Sequence, residues 1–220
     1  MRQLVMDSIL QNLKNVTEEY KDSIQNTIDS FITYTQLPKV FQQELLDTHN
    51  LPKKCNTLYS NITETINTKC NIGIKVESYK ECGFIVSTIL GKYLKDTILN
   101  DEHLSTVLYI DTNLLLEDYK RLMDRNTSDD SAPSLVHSLD ILNKQIEVAD
   151  FVFWDKFTMM QSNYELMKIY DILSIRYRNC LGNIFFMTPD YVNVLSKELT
   201  NVMNLLFMLD FTEEEYQHIK

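Results

Sequence analysis

Five short apolar runs separated by helix-length segments constrain this chain more than any other feature. They are residues 72–76, 106–110, 151–154, 183–187 and 205–209. Each is too short for a helix and apolar at nearly every position, as a strand buried on both faces must be. Between them the spacing predicts helices at 80–99, 113–123, 134–147, 164–181 and 191–201, with a last one from Thr212, where Glu215 completes a capping-box signal. Asp111 or Asn113 can cap the second helix. Strand and helix in alternation imply a parallel sheet, since right-handed crossovers lay helices over both faces. The expected fold is therefore an α/β three-layer sandwich on a parallel five-stranded sheet, preceded by an N-terminal helical segment.

That segment carries apolar residues at Val5, Ile9, Leu13, Val16, Tyr20, Ile24, Ile28 and Phe31, in steps of three and four. The steps draw one stripe along a long helix or helix pair. The stripe can pack on the body of the same molecule, or it can dock on a partner protein. For the partner reading the contact residues are Val5, Ile9, Leu13, Val16, Tyr20 and Ile24. Leu37-Pro38 and Leu51-Pro52 end helical stretches, because a residue before proline is biased away from helix. The division expected is an N-terminal helical arm at 1–70 and a sheet domain at 71–220. Asn126 to Pro133 is polar and turn-rich, the best candidate for a flexible loop.

Composition excludes several classes. No apolar run approaches the roughly 20 residues that cross a bilayer, and Asp7 interrupts the only N-terminal apolar stretch, so neither membrane span nor secretion signal is expected. The matches to the N-glycosylation pattern at Asn15, Asn61 and Asn126 then read as chance, and the cytoplasm is the expected compartment. The net charge of −10 repels a phosphate backbone, which argues against autonomous binding to nucleic acid. The small basic groups, Lys53-Lys54, Lys120-Arg121 with Arg125, and Arg176 with Arg178, read as solvated helix faces. Cys55, Cys70, Cys82 and Cys180 lack metal-site spacing and His49, His103, His137 and His218 are scattered. Buried reduced thiols and no bound metal or cofactor are expected.

The chemistry-bearing stretch is Ala149 to Asp190. Phe151-Val152-Phe153-Trp154 closes on Asp155, a helix follows, and Asn183 to Met187 repeats the strand pattern. An acid at a strand end beside a second strand is how a P-loop ATPase carries its magnesium-binding acid and sensor strand. Yet the chain has only four glycines, and no Gly-Lys-Ser or Gly-Lys-Thr follows a strand, so the usual backbone cradle for phosphates is missing. Asp155 reads first as a residue capping the next turn and second as a relic magnesium ligand. Phe153 and Trp154 read as core rather than a base-stacking platform, and Met159, Met160, Met167 and Met187 as gap-filling core.

The run VLYIDTNLLLEDYKRLMD at 107–124, then ADFVFWDKF, a helix ending in Arg176-Tyr177, and NIFFMTPD at 183–190 resemble the ATPase domain of bacterial replicative helicase loaders of the DnaC/DnaI type. The resemblance covers residues 72 to 211. It implies a P-loop NTPase-like fold of the AAA+ or RecA type and a role in DNA replication. It also marks departures. Glu77-Ser78-Tyr79-Lys80-Glu81-Cys82-Gly83-Phe84 stands where the family has its phosphate loop. Asp155 matches the first acid of the family's strand end, but Lys156 replaces the second, which would polarise the attacking water. Thr188-Pro189 replaces the sensor motif, and Asn201 to Asp210 lacks the family's arginine.

Asp155 and Thr188 are thus relic positions in an expected pseudo-ATPase with no catalytic residues. The function expected is a helicase-loader-like protein that binds the replicative helicase or its loader, as adaptor or inhibitor, in a homo- or hetero-oligomer or alone. Usage rich in Asn, Ile and Lys fits an AT-rich genome such as a phage or mobile element. The alternatives are a structural or interaction subunit on an ATPase-like scaffold, and a divergent nucleotide hydrolase that would need Lys80 or Lys92 at the phosphates.

Overall fold

The computed structural model describes residues 9–10, 17–39, 59–60, 71–76, 80–123, 132–157, 160, 162–188, 190, 197–203 and 205–211. In chain order its elements are α1 (Glu18–Thr35), β1 (Asn71–Val76), α2 (Lys80–Leu99), β2 (Val107–Asp111), α3 (Thr112–Met123), α4 (Ala132–Val148), β3 (Phe151–Asp155), α5 (Asn163–Arg178), β4 (Gly182–Met187), α6 (Lys197–Met203) and β5 (Leu205–Phe211). The expected helix from Thr212, its cap and the 126–131 part of the polar connector lie outside the described residues.

The sheet runs β2-β3-β4-β1-β5 with every neighbouring pair parallel. From β1 the chain crosses over β4 and β3 to the far edge, then steps back through β3 and β4 and jumps β1 to reach β5. Right-handed crossovers in opposite directions lie on opposite faces. The core divides accordingly. One cluster joins α1 and α2 to Ile72, Ile74, Val76, Val107, Tyr109, Phe151, Phe153, Ile184 and Phe186. The other joins α3 to α6 to Leu108, Ile110, Val152, Trp154, Phe185 and Met187. Strand residues alternate between the clusters with the period of two that a pleated strand requires.

Local signals set the helix ends. Asp111 caps α3 by accepting the backbone N–H groups of Asn113 at 3.1 Å and Leu114 at 3.3 Å. Ser162 and Glu165 form a full capping box on α5, readable in the sequence as Ser-x-x-Glu. Pro133 stands in the first turn of α4, where a missing N–H costs nothing. Gly182 lies opposite Phe151 across the ladder, and a Cβ there would come within 2.1 Å of the Phe151 ring. Glycine is required by that close approach.

At the amino ends of the strands, Arg176 is fully buried and works as a structural hub. Its guanidinium donates to Asn183 Oδ1 at 2.7 Å, to the carbonyls of Ala149 at 2.8 Å and Gly182 at 2.6 Å, and to Ile146 O. Asn183 continues to Trp154 Nε1 at 2.9 Å and Asn71 Oδ1 at 3.0 Å. Burial lowers the Arg176 pKa to about 9, so it remains charged at neutral pH. The reading of Arg176 as a solvated basic residue is thereby corrected: four hydrogen bonds from its planar fork satisfy the Asn183 side-chain oxygen and carbonyls at the end of α4, in the connector to β3 and at the start of β4.

Of the two readings of the N-terminal stripe, packing on the body of the same molecule holds for its described residues, and docking is set aside for Ile9 and Ile24. Ile9, Ile24, Ile28 and Phe31 are buried in the same cluster as α2 and the sheet, and Gln36 Nε2 donates to Gln145 Oε1 at 3.0 Å across the body. These residues fill the core and offer no docking face. Tyr20 is exposed, while Val5, Leu13 and Val16 lie outside the described residues.

Candidate functional site

In an open parallel sheet, ligands sit beyond the carboxyl ends of the strands, where neighbouring connections leave toward opposite faces. Here that switch point lies between β1, whose helix covers one face, and β4, whose following helix covers the other. Val76 and Thr188 flank it, with Asp155 one strand further on.

Strand parity gathers the polar groups. Tyr109 and Asp111 of β2 and Asp155 of β3 project toward the α2 face, as do Val107, Phe151 and Phe153 on the same strands. Asp111 stands directly opposite Asp155, while Tyr109 pairs with Phe153 two residues below. An aromatic side chain reaches its diagonal neighbour. The Tyr109 hydroxyl accordingly donates to Asp155 Oδ2. From the first turn of α2 the Cys82 thiol hydrogen-bonds the same carboxylate, and the Lys156 backbone N–H donates to Oδ1 at 2.7 Å. Asp155 is buried, with 2 % of its surface exposed.

Burial pushes the Asp155 carboxyl above its ordinary range, against the opposing pull of Tyr109, Cys82 and Lys156. Burial likewise holds the Tyr109 phenol well above its ordinary value, with the Asp155 charge adding to the effect, so it serves as a donor. Lys156 stands in the left-handed region at φ 52, uncommon for a residue with a side chain. Its ammonium bonds Asp111 Oδ2. Burial lowers its pKa, but the bond and charge of Asp111, with the charge of Asp155, outweigh that and raise it.

Asp155 accepts from the N–H of Lys156, the residue that follows it, but its environment contains more than that. Both of its oxygens accept hydrogen bonds from protein donors, and an ammonium already neutralises the neighbouring acid. A magnesium ion demands open carboxylate oxygens in near-octahedral geometry. The residues present do not fit one. No group of three or more metal-ligating side chains occurs among the described residues.

Thr188, half-buried, follows β4 at the switch point. Glu77, Pro189 and Met159, and the side chain of Glu81, lie outside the described residues. Phe153, Trp154 and Met187 are core and Met160 packs against it, but Met167 is 63 % exposed on α5, and Cys180 is exposed rather than buried. Lys120 and Arg121 pair with Glu165 at 3.3 Å and Asp118 at 3.2 Å. A groove of about 800 Å³ lies elsewhere, over α5, lined by Tyr119, Asn143, Tyr170, Ser174 and Tyr177 among others. Sequence reasoning missed Tyr109, Cys82 and the Asp111–Lys156 pair. The signal was present in VLYID and FVFWD, two strands of equal length that both end in aspartate.

Fold and site together define an α/β domain on a parallel sheet of order β2-β3-β4-β1-β5, with its strand-end acid closed off by the protein itself. Two solved structures share the fold. One is described as a DNA replication initiation factor, with a TM-score of 0.56, 9% identity, and coverage of 78% of this chain and 50% of that one. The other is the DnaC helicase loader, with a TM-score of 0.51, 16% identity, and coverage of 80% and 100%. The chain thus spans half the length of the first. At these identities the likeness is one of fold. No protein-family model matches the chain, and no curated protein matches it. Among the described residues no helix is long and apolar enough to cross a membrane.

Proposed function

We propose that this chain is a helicase-loader-like protein that works without hydrolysing ATP, acting in DNA replication by binding the replicative helicase or the helicase's own loader. The observation that carries the proposal is the closed acid. Asp155, at the position that would hold magnesium, accepts from Tyr109, Cys82 and Lys156, and the position of the second acid is filled by a lysine turned toward Asp111. A sequence with no Gly-Lys-Ser/Thr loop supports the same reading. The fold shared with the DnaC helicase loader supports the replication context. The charge of −10 weighs against DNA as the direct ligand and favours a protein.

Partner contact falls on a surface other than the buried stripe of Ile9, Ile24, Ile28 and Phe31. The test is biolayer interferometry of the full chain against purified replicative helicase and, separately, its ATPase loader, each with and without ATP and magnesium. The expected result is binding to one of them, to the same extent with and without ATP and magnesium. Failure to bind either contradicts the proposal.

A further inference from the structure

A magnesium ion does not fit the strand-end acids, and the manner of its exclusion has a consequence for how the domain is held. We propose that the chain carries a built-in counter-ion at this site: the Lys156 ammonium, with the Tyr109 hydroxyl, stands in for the divalent cation that would otherwise bridge Asp111 and Asp155. The inference rests on the reading of a domain that works without nucleotide, and it identifies what keeps that domain in one state.

Three observations converge. Asp111 and Asp155 end adjacent parallel strands in direct register, so two carboxylates face the same side within a few ångströms. Such a pair repels unless something positive lies between. The Lys156 ammonium bonds Asp111 Oδ2 while its own N–H bonds Asp155 Oδ1, so one residue holds both acids. Asp111 spends its other oxygen on the cap of α3, and Asp155 spends its own on Tyr109. The bonds therefore tie β2, β3 and α3 together, and through Cys82 they reach the first turn of α2.

The left-handed backbone at Lys156 supplies the third observation and the test. Asparagine or glycine is the ordinary occupant of φ 52, so a lysine held there is explained by what its side chain does. Lys156→Gly fits this backbone without strain and should fold. The experiment measures melting temperature of the full chain against manganese(II) alone, with no nucleotide present. Wild type is expected to show no change. Lys156→Gly with Tyr109→Phe, which removes the ammonium and the phenol while the residue-156 N–H and the Cys82 thiol remain, is expected to rise saturably by about 2–4 °C, as a ligand confined to the native state requires. Asp111→Asn added to that pair should abolish the rise. Should the double variant not fold, Lys156→Gly alone is read by manganese paramagnetic resonance, where loss of free-ion signal is expected relative to wild type.

Manganese stabilising wild type as much as the variant overturns the proposal, because the site would already be open. No response in a folded variant overturns it as well, because Lys156 would not be what excludes the cation. A rise that survives Asp111→Asn places the ion elsewhere and does the same. Since no nucleotide or helicase enters the measurement, its failure leaves the partner-binding proposal to its own test.

Discussion

The buried carboxylate of Asp155 makes a prediction with a definite sign. Its folded-state pKa lies above the ordinary 3.8, chiefly through burial. A carboxyl raised in this way contributes stability that is fully present below its unfolded pKa and is lost as pH rises through the folded value. At neutral pH the ionised form is a net cost. Asp155→Asn keeps an acceptor for Tyr109 and removes that cost. Its stability relative to wild type should therefore grow as pH rises above 3.8 and level off beyond the folded pKa, by about 1.4 kcal/mol for each pH unit between the two values. Urea unfolding of both proteins at several pH values measures the difference, and parallel profiles would contradict it. The acid itself was legible, since a strand-end aspartate announces itself in FVFWD. Its partners were not, because Tyr109 meets it only after a register that brings β2 beside β3. Arg176 shows the same limit: a basic residue near a helix end looks solvated until the end of α4, the connector after it and β4 close around it.

At the scale of elements, alternating runs located all of the described strands to within two residues at either end, because a strand buried on both faces has no polar face to blur its pattern. Helix α1 is where periodicity alone was insufficient. A stripe at steps of three and four says that a helix has an apolar face, and says nothing of what covers it. The structure answers with α2 and the sheet. Ile28→Asp should consequently unfold the chain or cost on the order of 3–5 kcal/mol, since an unpaired charge would enter a fully packed site. Tyr20→Asp, on the exposed flank of the same helix, should stay within about 0.5 kcal/mol of wild type. Chemical denaturation distinguishes them. Equal, small effects at both positions would return the stripe to the surface.

For the whole molecule, topology and site carry different weight. The order β2-β3-β4-β1-β5, with α1 and α2 on one face and α3 to α6 on the other, creates a switch point of the kind that holds a nucleotide in an ATPase. The sequence suggested that architecture, and the solved structures with the same fold agree with it. What occupies the switch point depends on side chains, and here Tyr109, Cys82 and Lys156 take up the acid's hydrogen-bonding capacity. Fold alone assigns no chemistry. On the function proposed above, this domain keeps the shape of an ATPase without using ATP. Calorimetric titration of the full chain with ATP and magnesium tests it most directly. No heat of binding at micromolar to millimolar nucleotide and no phosphate release over the same range are expected. Saturable binding that Asp155→Ala abolishes would contradict it.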